Sequence, residues 1–528
     1  MKRDPALFIL FICCVWNMNP GMAQSLPVGT PALEEYYRRL QLLGEIDSTI
    51  SFTVRPLFPA SAITRLPIRD STLNNESRLY RSEENKSIIK LLPLTWQQQY
   101  NSHHPYGWND GSMIRAKGYQ SMFSAGLFAK YGFVSIQLKP EFVFAENKAF
   151  REYPVYSNTI DLPERYGHKA YTQLSWGQSN IRLNFGPVSF GLSNENLWWG
   201  PGIRNSLLMS NSAPGFKHLT LNTTKPIKTY IGSFEGQIVA GRLEGSRFTA
   251  GLSDDWRYLS AMVISYHPKW VPGLFLGLTR SFQTYHENLK GFSDYIPLFR
   301  PYQKVKDKNQ DAGGSDEKDQ LTSVYARWLF EKTHAEVYFE YGANDNAYNL
   351  RDFLMSPEHS RAYIVGMRKL LSIRSREDEH IQLSFEITHM EQSIDRLTRD
   401  AGAWYTHFQI LQGYTNKGEV LGAGIGPGGN LQSFDMSWYK GLKHIGLQLE
   451  RYEHNADFYD ANFAGNIAGR WVDFSAAGIS EWTHKAFLFN AKLQAIQSLN
   501  YQWMSGQNGL PKQNILNVQA QLGITYRF

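Results

Sequence analysis

The sequence predicts an all-β protein, a transmembrane antiparallel β-barrel of the outer-membrane type. Three observations predict it: a final strand that alternates without a miss, an export signal at the start, and a composition rich in aromatics yet polar on average. In the last thirteen residues, Leu516, Val518, Ala520, Leu522, Ile524, Tyr526 and Phe528 share one face. Asn517, Gln519, Gln521, Gly523, Thr525 and Arg527 share the other. Strand side chains point alternately to opposite faces, so this ribbon has one apolar and one wet side. The edge strand of a soluble β-sandwich shares that pattern. Tyr526 and Phe528 at the last outward positions favour a barrel with aromatics at the membrane–water boundary.

The N-terminus agrees. Lys2 and Arg3 precede an apolar run from Ala6 to Trp16, and Gly21-Met22-Ala23 follows. This reads as a secretory signal over residues 1–23, cut after Ala23 to leave Gln24 first. The run is shorter than the about 20 apolar residues that a spanning helix needs. Both cysteines, Cys13 and Cys14, lie inside it, and Phe11 and Ile12 make a poor lipid-acceptor site. The mature chain is therefore expected to be exported without a disulfide framework.

Composition points the same way. The mean hydropathy is −0.40, as in barrels whose strands are half polar. Aromatic residues make up 14% of the chain, with 29 Tyr, 31 Phe and 14 Trp, which suits interfacial girdles. The net charge of +6 is spread along the chain without a Lys/Arg block, so nucleic-acid binding is not indicated.

The first element is a helix over 31–43. Thr30 stands at the N-cap, Pro31 in the first turn, Glu34 and Glu35 early, Arg38 and Arg39 late, and Gly44 at the stop. Leu33, Tyr36, Tyr37, Leu40 and Leu43 line one side, which suits anchoring at the periplasmic mouth. Ser51 to Leu57 reads as a short strand and Ser71 to Asn85 as turn-rich, so 24–87 forms an N-terminal periplasmic or plug segment. The barrel is expected over 88–528.

Period-two segments fill that span. Val134, Ile136, Leu138, Pro140, Phe142 and Phe144 share a face, as do Ile181, Leu183 and Phe185, and Val324, Ala326, Trp328 and Phe330. Ala335 to Tyr341, Ile381 to Ile387, Ile445 to Leu449 and Phe487 to Ala495 repeat the alternation. The opposite faces carry Lys, Arg, Glu and Gln, so they meet water or an internal polar network. Strands of about 9–11 residues would cross a bilayer, and about 16 to 18 of them fit, with an even number expected. Residues 303–320 (QKVKDKNQDAGGSDEKDQ) break the pattern and read as a long extracellular loop.

Two clusters could carry chemistry. Trp198-Trp199-Gly200-Pro201-Gly202 puts paired indoles at a turn, with Asn194, Glu195, Asn196, Arg204 and Asn205 close by. Indoles stack on the apolar faces of sugars while Asn, Glu and Arg bond hydroxyls and carboxylates. The same residues would equally serve as interfacial anchors or as packing for a folded-in loop. His103 to Gly111 (HHPYGWNDG) reads as a structured loop, because adjacent histidines do not easily share a metal. No metal or cofactor is expected. The chain has no G-x-S-x-G, H-E-x-x-H or P-loop, so a hydrolase triad would have to be assembled across strands.

The chain resembles the Wzi-type capsule assembly proteins, in their Bacteroidetes form. The resemblance rests on HHPYGWNDG at 103–111 with AKGYQ at 116–120, and on NENLWWGPG at 194–202 with LLMSNSAPGF at 207–216. IGSFEGQIVAGRLEGSR at 231–247, PGLFLGLTRS at 272–281 and EVLGAGIGPGGN at 419–430 complete it. It implies an 18-stranded barrel largely closed by helix and loops, a non-enzymatic lectin that helps attach exported capsular polysaccharide to the cell surface. The chain departs from the family in having one clear N-terminal helix and a charged insert at 303–320. Trp198, Trp199, Arg204, Asn205, Asn194 and Glu195 are the residues expected to bind the saccharide or close the pore. Expected partners are capsular polysaccharide or exopolysaccharide, outer-membrane lipids and, through Phe528, the barrel assembly machinery, with the protein a monomer. A channel for small solutes is the competing function.

Overall fold

The computed structural model describes residues 24–59, 78–82, 86–151, 165–248, 255–299, 318–344, 360–373, 376–392, 403–463, 467–506 and 511–528. The signal segment 1–23 and residues 303–317 of the charged loop lie outside the described residues. Asp319 and Gln320, expected at the end of that loop, instead open a strand.

The wall begins with β1 (Ser87–Asn101) and β2 (Gly118–Tyr131). Strand β3 has two pieces, Val134–Leu138 and Glu141–Ala145, and β4 answers with Tyr171–Ser175 and Asn180–Phe185. The single strand expected over 134–144 is thus interrupted at Lys139-Pro140, where Pro140 has no N–H to give the ladder. There follow β5 (Val188–Ser193), β6 (His218–Thr223), β7 (Gly232–Leu243), β8 (Arg257–Pro268) and β9 (Leu274–Tyr285). Next come β10 (Asp319–Phe330), β11 (Ala335–Asn344), β12 (Arg361–Ile373), β13 (Arg376–His389) and β14 (Asn430–Lys440). The last are β15 (Lys443–Glu453), β16 (Val472–His484), β17 (Phe487–Leu499) and β18 (Ile515–Tyr526). Each pairs antiparallel with the next, and β18 returns to β1 with Tyr526 opposite Leu94 and Gln519 opposite Asn101. This closes an 18-stranded barrel, so no edge of these strands is left open.

Alternation decides which face sees lipid. On β10, Val324 and Trp328 are 49% and 41% exposed, whereas Tyr325 and Arg327 are 3% and 0%. Leu493 on β17 is exposed and the next residue, Gln494, is buried. Polar residues line the inside and apolar residues the outside, the inverse of a soluble core and the pattern of a membrane barrel. Among the described residues no helix is long and apolar enough to cross a membrane; the strands do the crossing. Connections are short at the end where β18 finishes, such as Gly441-Leu442 and Lys485-Ala486, and long at the other. The short-turn end is the periplasmic one in barrels of this type.

The lumen is filled from both ends. At the short-turn end lies helix α1 (Pro31–Leu42), followed by the Leu43 C-cap and Gly44 at φ +73°. The Thr30 hydroxyl does not cap it: it donates to the Pro27 carbonyl, while the Thr30 carbonyl accepts from Leu33 and Glu34. Tyr36, Tyr37 and Leu40 pack with Ile46, Ile50, Phe52 and Leu57 against Leu442 of a short turn. A buried ion cluster fastens the helix to the wall. Arg38 and Arg327 reach Glu336 at 2.8 and 2.6 Å, and Arg368 reaches Glu35 at 2.5 Å. The short strand expected within 51–57 is the pair Val54–Arg55, which hydrogen-bonds inside the lumen to Trp198–Trp199.

Candidate functional site: the plug and its roof

The loop between β5 and β6 turns inward and carries the six residues singled out in the sequence. Trp199 is 0% exposed; its Nε1 donates to Gln237 on β7 at 3.0 Å, and its backbone N–H donates to the Met209 carbonyl. Trp198 is also buried, with the Arg55 guanidinium 4.4 Å from its ring centre. Both indoles are buried within the barrel, and Trp198 lines the cavity beneath the loop. Glu195 pairs with Arg182 at 2.6 Å and accepts from the Ser193 and Ser25 hydroxyls. Burial would raise its pKa, but Arg182 and these hydrogen bonds outweigh burial and hold it below the usual carboxylate range. Asn194 donates to the Gly177 carbonyl at 3.0 Å.

Arg204 and Asn205 sit where the loop touches the far wall. Glu386 of β13 accepts the backbone N–H groups of Ile203, Arg204 and Asn205 at 2.6, 3.1 and 3.0 Å. Asn205 also donates to the Thr388 hydroxyl. The Arg204 guanidinium bonds Glu450 at 2.8 Å and lies over the Trp108 ring. Burial would lower the Arg204 pKa, yet Glu450 and Glu386 raise it, so its charge is spent on the wall.

The other sequence clusters converge on the same plug. Asn109 donates to the Arg204 carbonyl, Asn211 donates to the Asn109 carbonyl, and Gly111 donates to that of Asn211. From the segment after β13, Tyr405 donates to the Leu207 carbonyl and accepts from the Ala423 N–H, both at 2.7 Å. A Cβ on Gly422 would lie 2.2 Å from the Leu207 carbonyl oxygen, and one on Gly424 would lie 2.5 Å from Trp108 Cβ. Gly422 thus lets its backbone meet that of Leu207, and Gly424 leaves room for the Ser212 and Trp108 side chains. The FEGQ segment supplies the wall side: Gln237 receives Trp199, and Glu235 accepts the Ser51 N–H at 2.6 Å.

Sequence reasoning missed the roof. His454 stacks on Trp471 at 3.6 Å and bonds Asp473 at 2.7 Å, while Tyr501 and Trp503 meet Trp471 edge-on. Arg470 joins Glu453, Glu391 and Asp460 at 2.6–2.8 Å. His103 and His104 end in this cluster, with burial pushing His104 down to about 3. Among the described residues no group of three His, Cys, Asp or Glu side chains is placed to hold a metal ion. These aromatics come from separate loops at the long-loop end, and no local motif announces them.

Below the plug, towards the short turns, a cavity of about 350 Å³ remains between α1 and the inner faces of β13 to β18 and β1. Gln97, Gln521, Asn490 and Lys492 line its wall, and Tyr106, Trp108 and Asp110 its ceiling.

The fold and its filling define a class: an outer-membrane β-barrel closed from within by its own loops and N-terminal helix. The chain belongs to the family of the capsule assembly protein Wzi, whose family model matches residues 97–487. Among solved structures it is similar to Escherichia coli Wzi, described as an outer membrane protein involved in group 1 capsule assembly and a carbohydrate-binding β-barrel. The identity is 13%, the match covers 96% of this chain and 100% of that one, and the TM-score is 0.62. Acinetobacter baumannii OccAB2 matches at 10% identity over 83% of this chain and 97% of its own, with a TM-score of 0.40. Pseudomonas aeruginosa OccK7 matches at 8% identity, 82% and 98% coverage, and a TM-score of 0.39. No curated protein sequence matches the chain.

Proposed function

We propose that this barrel binds exported polysaccharide at its long-loop face and helps attach it to the cell surface, without catalysis. The observation that carries the reading is the plug: the loop motifs are spent on closing the lumen, which suits a platform better than a channel. Membership of the capsule assembly family supports the choice of polymer, and the aromatic and charged roof offers the kinds of group that meet sugars. The six residues of the inward loop act in this reading by holding the plug. The domain division follows, with 24–87 as plug and 88–528 as wall and roof, the protein working as a monomer among outer-membrane lipids. In this reading Phe528, 38% exposed beside Tyr526 at the short-turn rim, serves recognition during barrel assembly.

Two measurements test this. Purified protein in planar bilayers should conduct poorly and without steady open levels. Across a panel of surface polysaccharides it should bind some polymers and turn over none. Steady porin-like conductance with no polymer binding would establish the channel instead.

A further inference from the structure

On β8, β9 and β10 the outer face of the wall departs from its apolar, open pattern. The register sets Met262 opposite Arg280 and Arg280 opposite Thr322, and one step nearer the long loops it sets Ser260 opposite Phe282 and Phe282 opposite Gln320. All six point outwards, on the faces of Ile264, Leu278 and Val324. Ser260, Met262, Phe282 and Gln320 are nevertheless only 2–7% exposed. Ile264, Leu276 and Val324, nearer the short turns on the same faces, are 41–49% exposed. The upper part of this wall is covered, and the chain itself covers it.

Residues 286–299 leave β9 through the turn His286–Asn288, form the helical turn Phe292–Tyr295 and the turn Pro297–Phe299, and come back along the outside. Leu298 packs on Met262 and Phe282, with Leu278 beside them. The Tyr258 hydroxyl donates to the Tyr295 carbonyl at 2.8 Å, and the two rings meet edge-on. Arg280 lies over the Phe282 ring at 4.7 Å and donates to the Leu298 carbonyl and to Gln320 Oε1, both at 3.0 Å. A guanidinium on a lipid-facing wall is costly, and here its hydrogens are turned to the covering segment. Lys318 pairs with Asp294 at 2.5 Å and ties the segment to the start of β10. Leu278, the partner of Val324, is two residues below Arg280, so the cover ends about 7 Å above mid-strand.

The outer side of this cover is apolar. Phe292, Tyr295 and Ile296 are 81%, 44% and 45% exposed, and at i, i+3 and i+4 they share one side of the turn. Glu287, Lys290 and Ser293 are exposed beside them, the mixture of an interfacial segment. We propose that residues 286–299 form a flap whose Phe292, Tyr295 and Ile296 enter the acyl chains of the outer leaflet. Continuity with the belt argues for lipid as the occupant. The flap rests on the lipid side of the wall, directly above Ile264, Leu276 and Val324, so its apolar side extends the same surface outwards. Arg280, out of place on a bare barrel, is what fastens it.

Fluorescence quenching on the mature chain in phosphatidylcholine vesicles tests this. A nitrobenzoxadiazole label goes on Phe292→Cys or Ile296→Cys. Val324→Cys serves as the lipid reference, and Asn462→Cys, exposed at the end of the helix Ala456–Asn462, as the water reference. Lipids with a nitroxide on the acyl chain should quench the labels at 292 and 296 much as they quench that at 324. Aqueous iodide should quench them at least twofold less than that at 462. The heat-modifiable gel shift reports that each variant is folded. Iodide quenching equal to that at 462 would overturn the proposal and make the segment a loop in water. Protection from both quenchers would also overturn it, and loss of that protection on dilution in lipid would identify a second copy as the occupant. Either failure would leave the polysaccharide reading untouched, because the flap lies outside the plug and the roof.

Discussion

Trp199 has no exposed atom to offer a ligand and one polar atom, Nε1, spent on Gln237. Trp199→Ala should therefore cost about 3–5 kcal/mol of stability through the cavity it leaves. Polysaccharide affinity per folded molecule should stay the same. Comparing heat-unfolding midpoints with abundance-normalised binding separates the two; weaker binding in a well-folded variant would return the indole to the ligand. Asp110 supplies a pH signature. Burial raises its carboxyl from 3.8 to about 7, against the pull of Lys492 and Arg204 and with the push of Glu419. A carboxyl whose folded pKa is raised stabilises the fold below its unfolded value and loses that contribution as pH climbs through the folded one. The unfolding midpoint should fall between about pH 4 and pH 7, and Asp110→Asn should remove part of that fall. Residue roles were half legible in the sequence. Inward Tyr325 and outward Val324 follow from period two alone, because a strand has only two faces. The burial of Trp198 and Trp199 did not follow, because their setting comes from Val54, Gln237 and Met209, whose approach depends on the closed barrel.

Among the elements, α1 was the most legible, since Pro31, the early acids, the late bases and Gly44 are local signals. What it docks on was not: Glu336 and Arg368 lie on strands far along the chain. Glu336 receives Arg38 and Arg327 and sits 3.7 Å from Arg368, with its side chain fully buried. Glu336→Gln removes the shared anion and leaves buried guanidinium groups facing one another. Breaking a buried pair in this way costs about 3–5 kcal/mol. The cost should fall on the docking of the helix rather than on the strand ladder. Limited proteolysis should then cut within 24–58 faster than in the unaltered protein, while the barrel keeps its heat-modifiable gel shift. Equal cutting rates would show that Tyr36, Tyr37 and Leu40 hold the helix without the ion cluster. Pro140 teaches the converse lesson about strands. Its place in the apolar face of 134–144 was right, but period two cannot see that a missing N–H splits the ladder there.

For the whole molecule, the ladder, the belt and the plug have separate physical sources, and that separation can be tested. The ladder closes β18 on β1, the apolar outside matches lipid, and the polar inside is neutralised by α1 and the folded-in loops. If the outside truly meets hydrocarbon, the cost of a charge there must depend on depth. Val324 lies near the middle of β10, paired with Leu278 and Tyr341, and is half exposed on the outer face. Phe330 ends the same strand at the short turn Glu331–Thr333 and is 37% exposed. Val324→Arg should cost about 2–4 kcal/mol in phospholipid vesicles and Phe330→Arg about 0–1 kcal/mol, because the interface solvates the guanidinium and the midplane does not. Denaturant titration of vesicle-inserted protein measures both. A β-sandwich in water would give two small costs at such exposed sites, since neither arginine would leave solvent. A gradient from rim to midplane would therefore separate the membrane barrel from its soluble alternative on energetic grounds.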